Sequence, residues 1–145
     1  EPLPDIDAAD GLPILTKHET QQAIDRYAEL TRLRPRVGTN LHQDAEFARR
    51  TLFGGTANAG VATLAYCAEL LERAYGPEAR LRPGACVQYK GVRPIRAGDE
   101  IGLRGKVSSR GERSREVEIW VHTKDGALRG VGAGTVMTAA HRGSA

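Results

Sequence analysis

The hydrophobic period of this chain changes once, and that change sets its layer plan. Up to Tyr75, apolar residues recur at helical spacing; from Arg82 onward they alternate. Thr16-Lys17-His18-Glu19 matches a capping box and predicts a first helix with Thr16 as N-cap. That helix carries Ala23, Ile24, Tyr27, Ala28 and Leu30, and ends near Thr31 because Arg34 precedes Pro35. Asp44 is placed to cap a short second helix over 45–51, with Phe47, Ala48 and Leu52 turned inward. A third helix is predicted over 59–75. Its stripe is Val61, Leu64, Ala65, Ala68, Leu71 and Ala74, widened by Cys67 and Leu70. A stripe that broad predicts a helix covered on most sides, ended by Gly76-Pro77.

Beyond Arg82 three alternating runs follow, Ala85, Val87 and Tyr89; Ile101, Leu103, Gly105 and Val107; and Val117, Ile119 and Val121; a final strand holds Leu128, Val131, Ala133 and Val136, with glycines between them. Ala97-Gly98-Asp99 makes a turn, and Asp125-Gly126 is a hairpin signal. Helices followed by at least four antiparallel strands predict an α+β protein with a sheet packed on the long helix. Residues 14–140 form the expected domain, between a loosely structured arm at 1–13 and a tail at 141–145.

The 145 residues suit one domain, and 40% apolar with 27% charged residues is a globular composition. The net charge is +3, but the 21 basic residues are scattered without interleaved aromatics, which argues against nucleic acid. Neither Cys67 nor Cys86 has metal-ligand spacing, so both read as buried thiols of a reducing compartment. No apolar run reaches the ~20 residues of a membrane span, and the acidic, proline-containing start is no signal peptide. A cytoplasmic protein that binds neither membrane nor nucleic acid is expected.

The run NLHQDAEFARRTLFGGTANAGVATLAY, residues 40–66, concentrates the chemistry. It sets His42 in a polar loop facing the start of the long helix. A helix start supplies free N–H groups and partial positive charge, and a histidine moves protons near neutral pH. A plainer role for His42 is a loop histidine that bonds a backbone carbonyl. Gly54, Gly55 and Gly60 could serve only turn geometry and close packing. His122, on an alternating strand, reads as a surface histidine. Glu69 and Glu72 read as solvent-facing or interface residues.

AELT…NLHQDAEFA…FGG…AGVATLA resembles the MaoC-like dehydratases, or (R)-specific enoyl-CoA hydratases. Their hallmark is Asp-x-Asn-Pro-x-His followed by x-Asp-x-x-x-Ala; Asn40, His42, Asp44 and Ala48 match it. LRPGACVQYKGVRPIRAGDEIGLRGKV is similar to the family's strand, turn and next strand, so the likeness spans about residues 14–138. It implies a single hotdog fold, an antiparallel sheet wrapped around a long central helix. The implied activity is hydration of an enoyl thioester, or dehydration of a 3-hydroxyacyl thioester. The substrate would be linked to CoA or a carrier protein, with no further cofactor and no metal.

The resemblance makes His42 the acid or base and the Gly60 N–H the oxyanion donor. Asn40 would orient water or carbonyl, and Asp44 is a second catalytic candidate besides its capping role. Phe53, Gly55, Val61 and Leu64 would take the acyl group, with Arg93 and Arg96 near the CoA phosphates. The proline between Asn and His is missing, and Arg36, Val37, Gly38 and Thr39 stand where the family carries its catalytic aspartate. The second proton-transfer group is therefore not evident in the sequence. A hotdog thioesterase, or a non-catalytic hotdog subunit supporting an active partner, are the alternatives. Residues 53–63 contain no carboxylate, which counts against the thioesterase. A lone hotdog leaves an open sheet edge, so a homodimer or larger assembly is expected, possibly with a second hotdog chain.

Overall fold

The computed structural model describes residues 12–31 and 40–138, so the calls on the arm before residue 12, on the 32–39 loop and on the tail fall outside the described residues. The chain enters through a strand, not a helix. Leu15–His18 forms β1 and pairs antiparallel with β3 (Glu100–Arg110), Leu15 facing Leu103. This corrects the expected capping box. Thr16 sits in a ladder that buries Leu15, and sheet pairing overrides the local signal. The cap lies further along: Thr20 Oγ1 accepts from the Ala23 N–H at 3.0 Å and opens α1, Gln21–Leu30. Ile24 and Ala28 are buried, and the helix stops at Thr31 as predicted.

Asp44 caps α2 (Ala45–Arg49) as expected, its carboxylate accepting from the Phe47 N–H at 2.9 Å. Only Ala48 turns inward. Phe47 is exposed and Leu52 fully so, against the sequence expectation. The helix ends before Leu52, and helical spacing has no meaning beyond that end.

Gly60–Tyr75 forms the sixteen-residue α3. Its buried face is Ala62, Thr63, Cys67, Leu70 and Leu71, rotated from the apolar stripe; Val61 is 59% exposed and Ala65 is also exposed. The polar Thr63 belongs to this face because its hydroxyl accepts from Asn58 Nδ2 at 2.9 Å. Gly76, at φ +83, ends α3, and Pro77 opens an unforeseen short helix, α4 (Pro77–Leu81).

β2 (Cys86–Gly91), β3, β4 (Ser114–Thr123) and β5 (Leu128–Met137) complete a five-stranded sheet of order β1-β3-β4-β5-β2. Every neighbouring pair is antiparallel. Ile101, Leu103, Val117, Ile119 and Val121 meet Leu70 and Leu71 in one core. On β5 the residues turned to that core are Gly130, Gly134 and Val136, while Ala133 is exposed. Glycine is required there: a Cβ on Gly134 would stand 2.3 Å from Leu71 Cδ1. The sheet thus closes tightly on α3, and the arrangement is the hotdog. His122 and Cys86 exchange the places expected of them. His122 is buried with its Nδ1 2.9 Å from the Thr123 carbonyl oxygen, whereas Cys86 is exposed. Among the described residues no helix is long and apolar enough to cross a membrane.

Candidate active site

The start of α3 is fixed by the extended segment before it. Ala57 pairs with Arg96, Asn58 N–H donates to the Ile95 carbonyl at 2.9 Å, and Ala57 N–H donates to the Leu41 carbonyl at 3.3 Å. This lays the segment between the His42 loop and the turn after β2. Ala59, the N-cap, offers no side chain to the helix end. The Gly60 and Val61 N–H groups have no partner among the described residues. They form the positive tip of a long helix.

His42 is held on three sides. Its N–H and that of Gln43 donate to Asn40 Oδ1 at 3.0 and 3.1 Å. Its carbonyl accepts from Gln21 Nε2 at 2.9 Å, and Gln21 Oε1 in turn accepts from Thr56 Oγ1 at 2.6 Å. Its ring Nδ1 lies 2.8 Å from the Ala57 carbonyl oxygen. A carbonyl only accepts, so Nδ1 carries the hydrogen and the neutral ring keeps its lone pair on Nε2. The carbonyl bond and a role in proton transfer are therefore compatible: the first orients the ring for the second.

Two cavities border this histidine. The larger, about 610 Å³, is lined by His42, Phe53, Gly60, Val61, Leu64 and Arg93, among others. The smaller, about 200 Å³, is lined by Glu19, Tyr27, His42 and Tyr66, among others. His42, Asn58, Ala59 and Val61 border both. Six of the residues singled out in the sequence thus share one cleft. Asn40 and Asp44 line neither cavity; each spends its side chain on capping backbone. Gly55 and Arg96 also line neither, and the Arg96 guanidinium lies against Gly54. Glu69 is tied to Lys17 at 2.6 Å and Arg73 at 2.7 Å, away from both cavities.

Glu19, Asn58 and Tyr66 escaped the sequence reading. Glu19 is only 2% exposed. Asn58 Nδ2 donates to its Oε1 at 3.3 Å, and the Tyr66 phenol lies close enough to feel its charge. Burial, and then the Glu19 charge, push the Tyr66 phenol well above its ordinary range, so it stays a neutral donor. Cys67, in the core behind α3, is pushed up to about 12 by burial and remains an inert thiol. Glu19 occupies a position that mimics a capping-box acid, and no local pattern distinguishes it from one.

Comparison of the sequence with family profiles and with curated proteins finds no match. Solved structures do match. The (R)-hydratase of A. caviae involved in PHA biosynthesis is 20% identical, with a TM-score of 0.68 over 88% of this chain and 93% of that one. The MaoC-like dehydratase from Rhodospirillum rubrum is 24% identical, with a TM-score of 0.63 over 88% and 90%. A chain of the ChsH1-ChsH2 complex from Mycobacterium tuberculosis is 14% identical, with a TM-score of 0.71 over 88% and 94%. With its sheet wrapped on one long helix, the chain has the hotdog fold of the (R)-hydratases and MaoC-like dehydratases.

Proposed function

We propose that this chain is a lyase that hydrates an enoyl thioester, or dehydrates the 3-hydroxyacyl thioester in reverse. The observation that carries the reading is one cleft holding an imidazole of fixed tautomer and the unpartnered N–H groups of α3. Addition of water across a double bond conjugated to a thioester puts negative charge on the carbonyl oxygen. The Gly60 N–H, at a helix tip, stabilises that charge as it forms. His42 moves a proton through Nε2, while its Nδ1 bond to Ala57 keeps the ring in place. Phe53, Val61 and Leu64 give the acyl group an apolar wall. Arg93 at the cleft suits the phosphates of CoA. The free thiols Cys67 and Cys86 are in keeping with a reducing cytoplasm.

The test mixes purified protein with crotonyl-CoA and longer or branched enoyl-CoAs. Loss of enoate absorbance, abolished by His42→Ala, is the expected result. Release of free thiol would instead make the chain a thioesterase. Silence in both assays would make it a non-catalytic subunit that supports a partner hotdog chain.

A further inference from the structure

We propose that Glu19 is the second proton-transfer group of this site, supplying from β1's end what the histidine loop lacks. The inference rests on the hydratase reading and deepens it. Glu19 is buried, and among the described residues no cation pairs with it. Its hydrogen-bond partner is the neutral Asn58 amide, with the neutral Tyr66 phenol beside it. A buried carboxylate without a counter-ion is expensive, and such groups in clefts are disproportionately functional. This one lines the small chamber together with His42, and Asn58, Ala59 and Val61 border both that chamber and the cleft.

Its backbone is immobilised. The Glu19 N–H donates to the Asp99 carbonyl at 2.8 Å, and the Glu19 carbonyl accepts from the Gly98 N–H at 2.6 Å. The carboxylate therefore projects from a fixed strand end. Asn58 Nδ2 also bonds Thr63 on α3, which ties the acid to the helix whose tip holds the thioester oxygen.

The step balances with these two groups alone. The Glu19 carboxylate takes a proton from water as the water oxygen bonds to the β-carbon. The electron pair of the double bond shifts toward the thioester, whose oxygen is held by the Gly60 N–H. The His42 imidazolium then gives its Nε2 proton to the α-carbon, and the carbonyl re-forms. Glu19 is left protonated and His42 neutral; transfer of that proton from carboxyl to imidazole restores both. One water is added and nothing else is consumed.

The plain alternative is that Glu19 only holds Asn58 and Tyr66 in place. A glutamine does that equally well, because its amide oxygen accepts the Asn58 bond and fills the same space. Glu19→Gln therefore separates the two roles. Crotonyl-CoA hydration is measured for the wild type, Glu19→Gln and Glu19→Asp, with thermal midpoints alongside. The expected result is a fall in kcat of about 10²–10⁴-fold in Glu19→Gln with its midpoint little changed. Partial recovery is expected in Glu19→Asp. The titratable groups around the chamber are Glu19, Tyr27, His42 and Tyr66.

An active wild type whose Glu19→Gln variant keeps kcat within about threefold overturns the role of Glu19 and leaves the hydratase reading standing. A wild type that hydrates no enoyl-CoA overturns both. Should Glu19→Gln fail to fold, Glu19→Asp decides: a fall in kcat of about tenfold or more with an unchanged midpoint supports the assignment, and kcat within about threefold of the wild type overturns it.

Discussion

A single hydrogen bond decides what His42 can do. Because Ala57 offers a carbonyl oxygen 2.8 Å from Nδ1, the neutral ring is held as the Nδ1–H tautomer. That leaves Nε2 bare, and in the protonated ring it makes Nε2–H the proton to be given away. For the neutral ring, nitrogen-15 NMR of His42 should show a protonated Nδ1 and an unprotonated Nε2. The opposite assignment would detach the ring from Ala57 and remove the basis for its orientation. Tyr66 complements this residue pair. A phenol held well above its usual range by burial and by Glu19 does not ionise at working pH, so it remains a neutral neighbour of the Glu19 carboxylate throughout.

Between elements, the decisive contact is the glycine face of β5 against α3. Gly134→Ala would drive a methyl onto the fully buried Leu71, and overpacking of this kind costs about 1–3 kcal/mol. Leu71→Ala alone should cost about 2–5 kcal/mol through the cavity it leaves. Because each change answers the other, the double variant should lose less than the sum, measured by chemical denaturation; strict additivity would show that the two positions do not touch. The same face shows why part of the fold was hidden in the sequence. The alternation of β3 and β4 was legible, since Ile101, Leu103, Val117, Ile119 and Val121 announce the core directly. On β5 the inward positions are glycines, so the visible apolar residues pointed elsewhere. β1 was hidden for another reason: four residues become a strand only when β3 supplies the partner, and Thr16 to Glu19 imitate a helix start. At the site, His42 and Gly60 could be read from the motif around them. Glu19 could not, because only the β1–β3 pairing and the turn at Gly98 bring its carboxylate to the chamber beside His42.

At the scale of the whole molecule, the sheet ends in two edge strands that no other described strand pairs on its outer side, β1 with four residues and β2 with six. The longer edge leads directly into the cleft, whose lining includes Gly91, Val92 and Arg93. Two large apolar residues of that lining, Val61 and Val92, remain exposed in the single chain. Open backbone groups and uncovered apolar side chains on one side of the molecule favour association there. Pairing β2 with its copy about a twofold axis would satisfy the edge and cover the mouth of the cleft in both subunits at once. Light scattering at micromolar concentration should give twice the mass of one chain, and the thermal midpoint should rise with protein concentration. Val92→Asp should shift the protein toward monomer, since two carboxylates would approach across the axis. Dilution of the wild type distinguishes cover from mere contact. If the partner closes the cleft, specific activity falls as dimers separate. A monomer at micromolar concentration, or activity indifferent to dissociation, would mean that one chain encloses its substrate unaided.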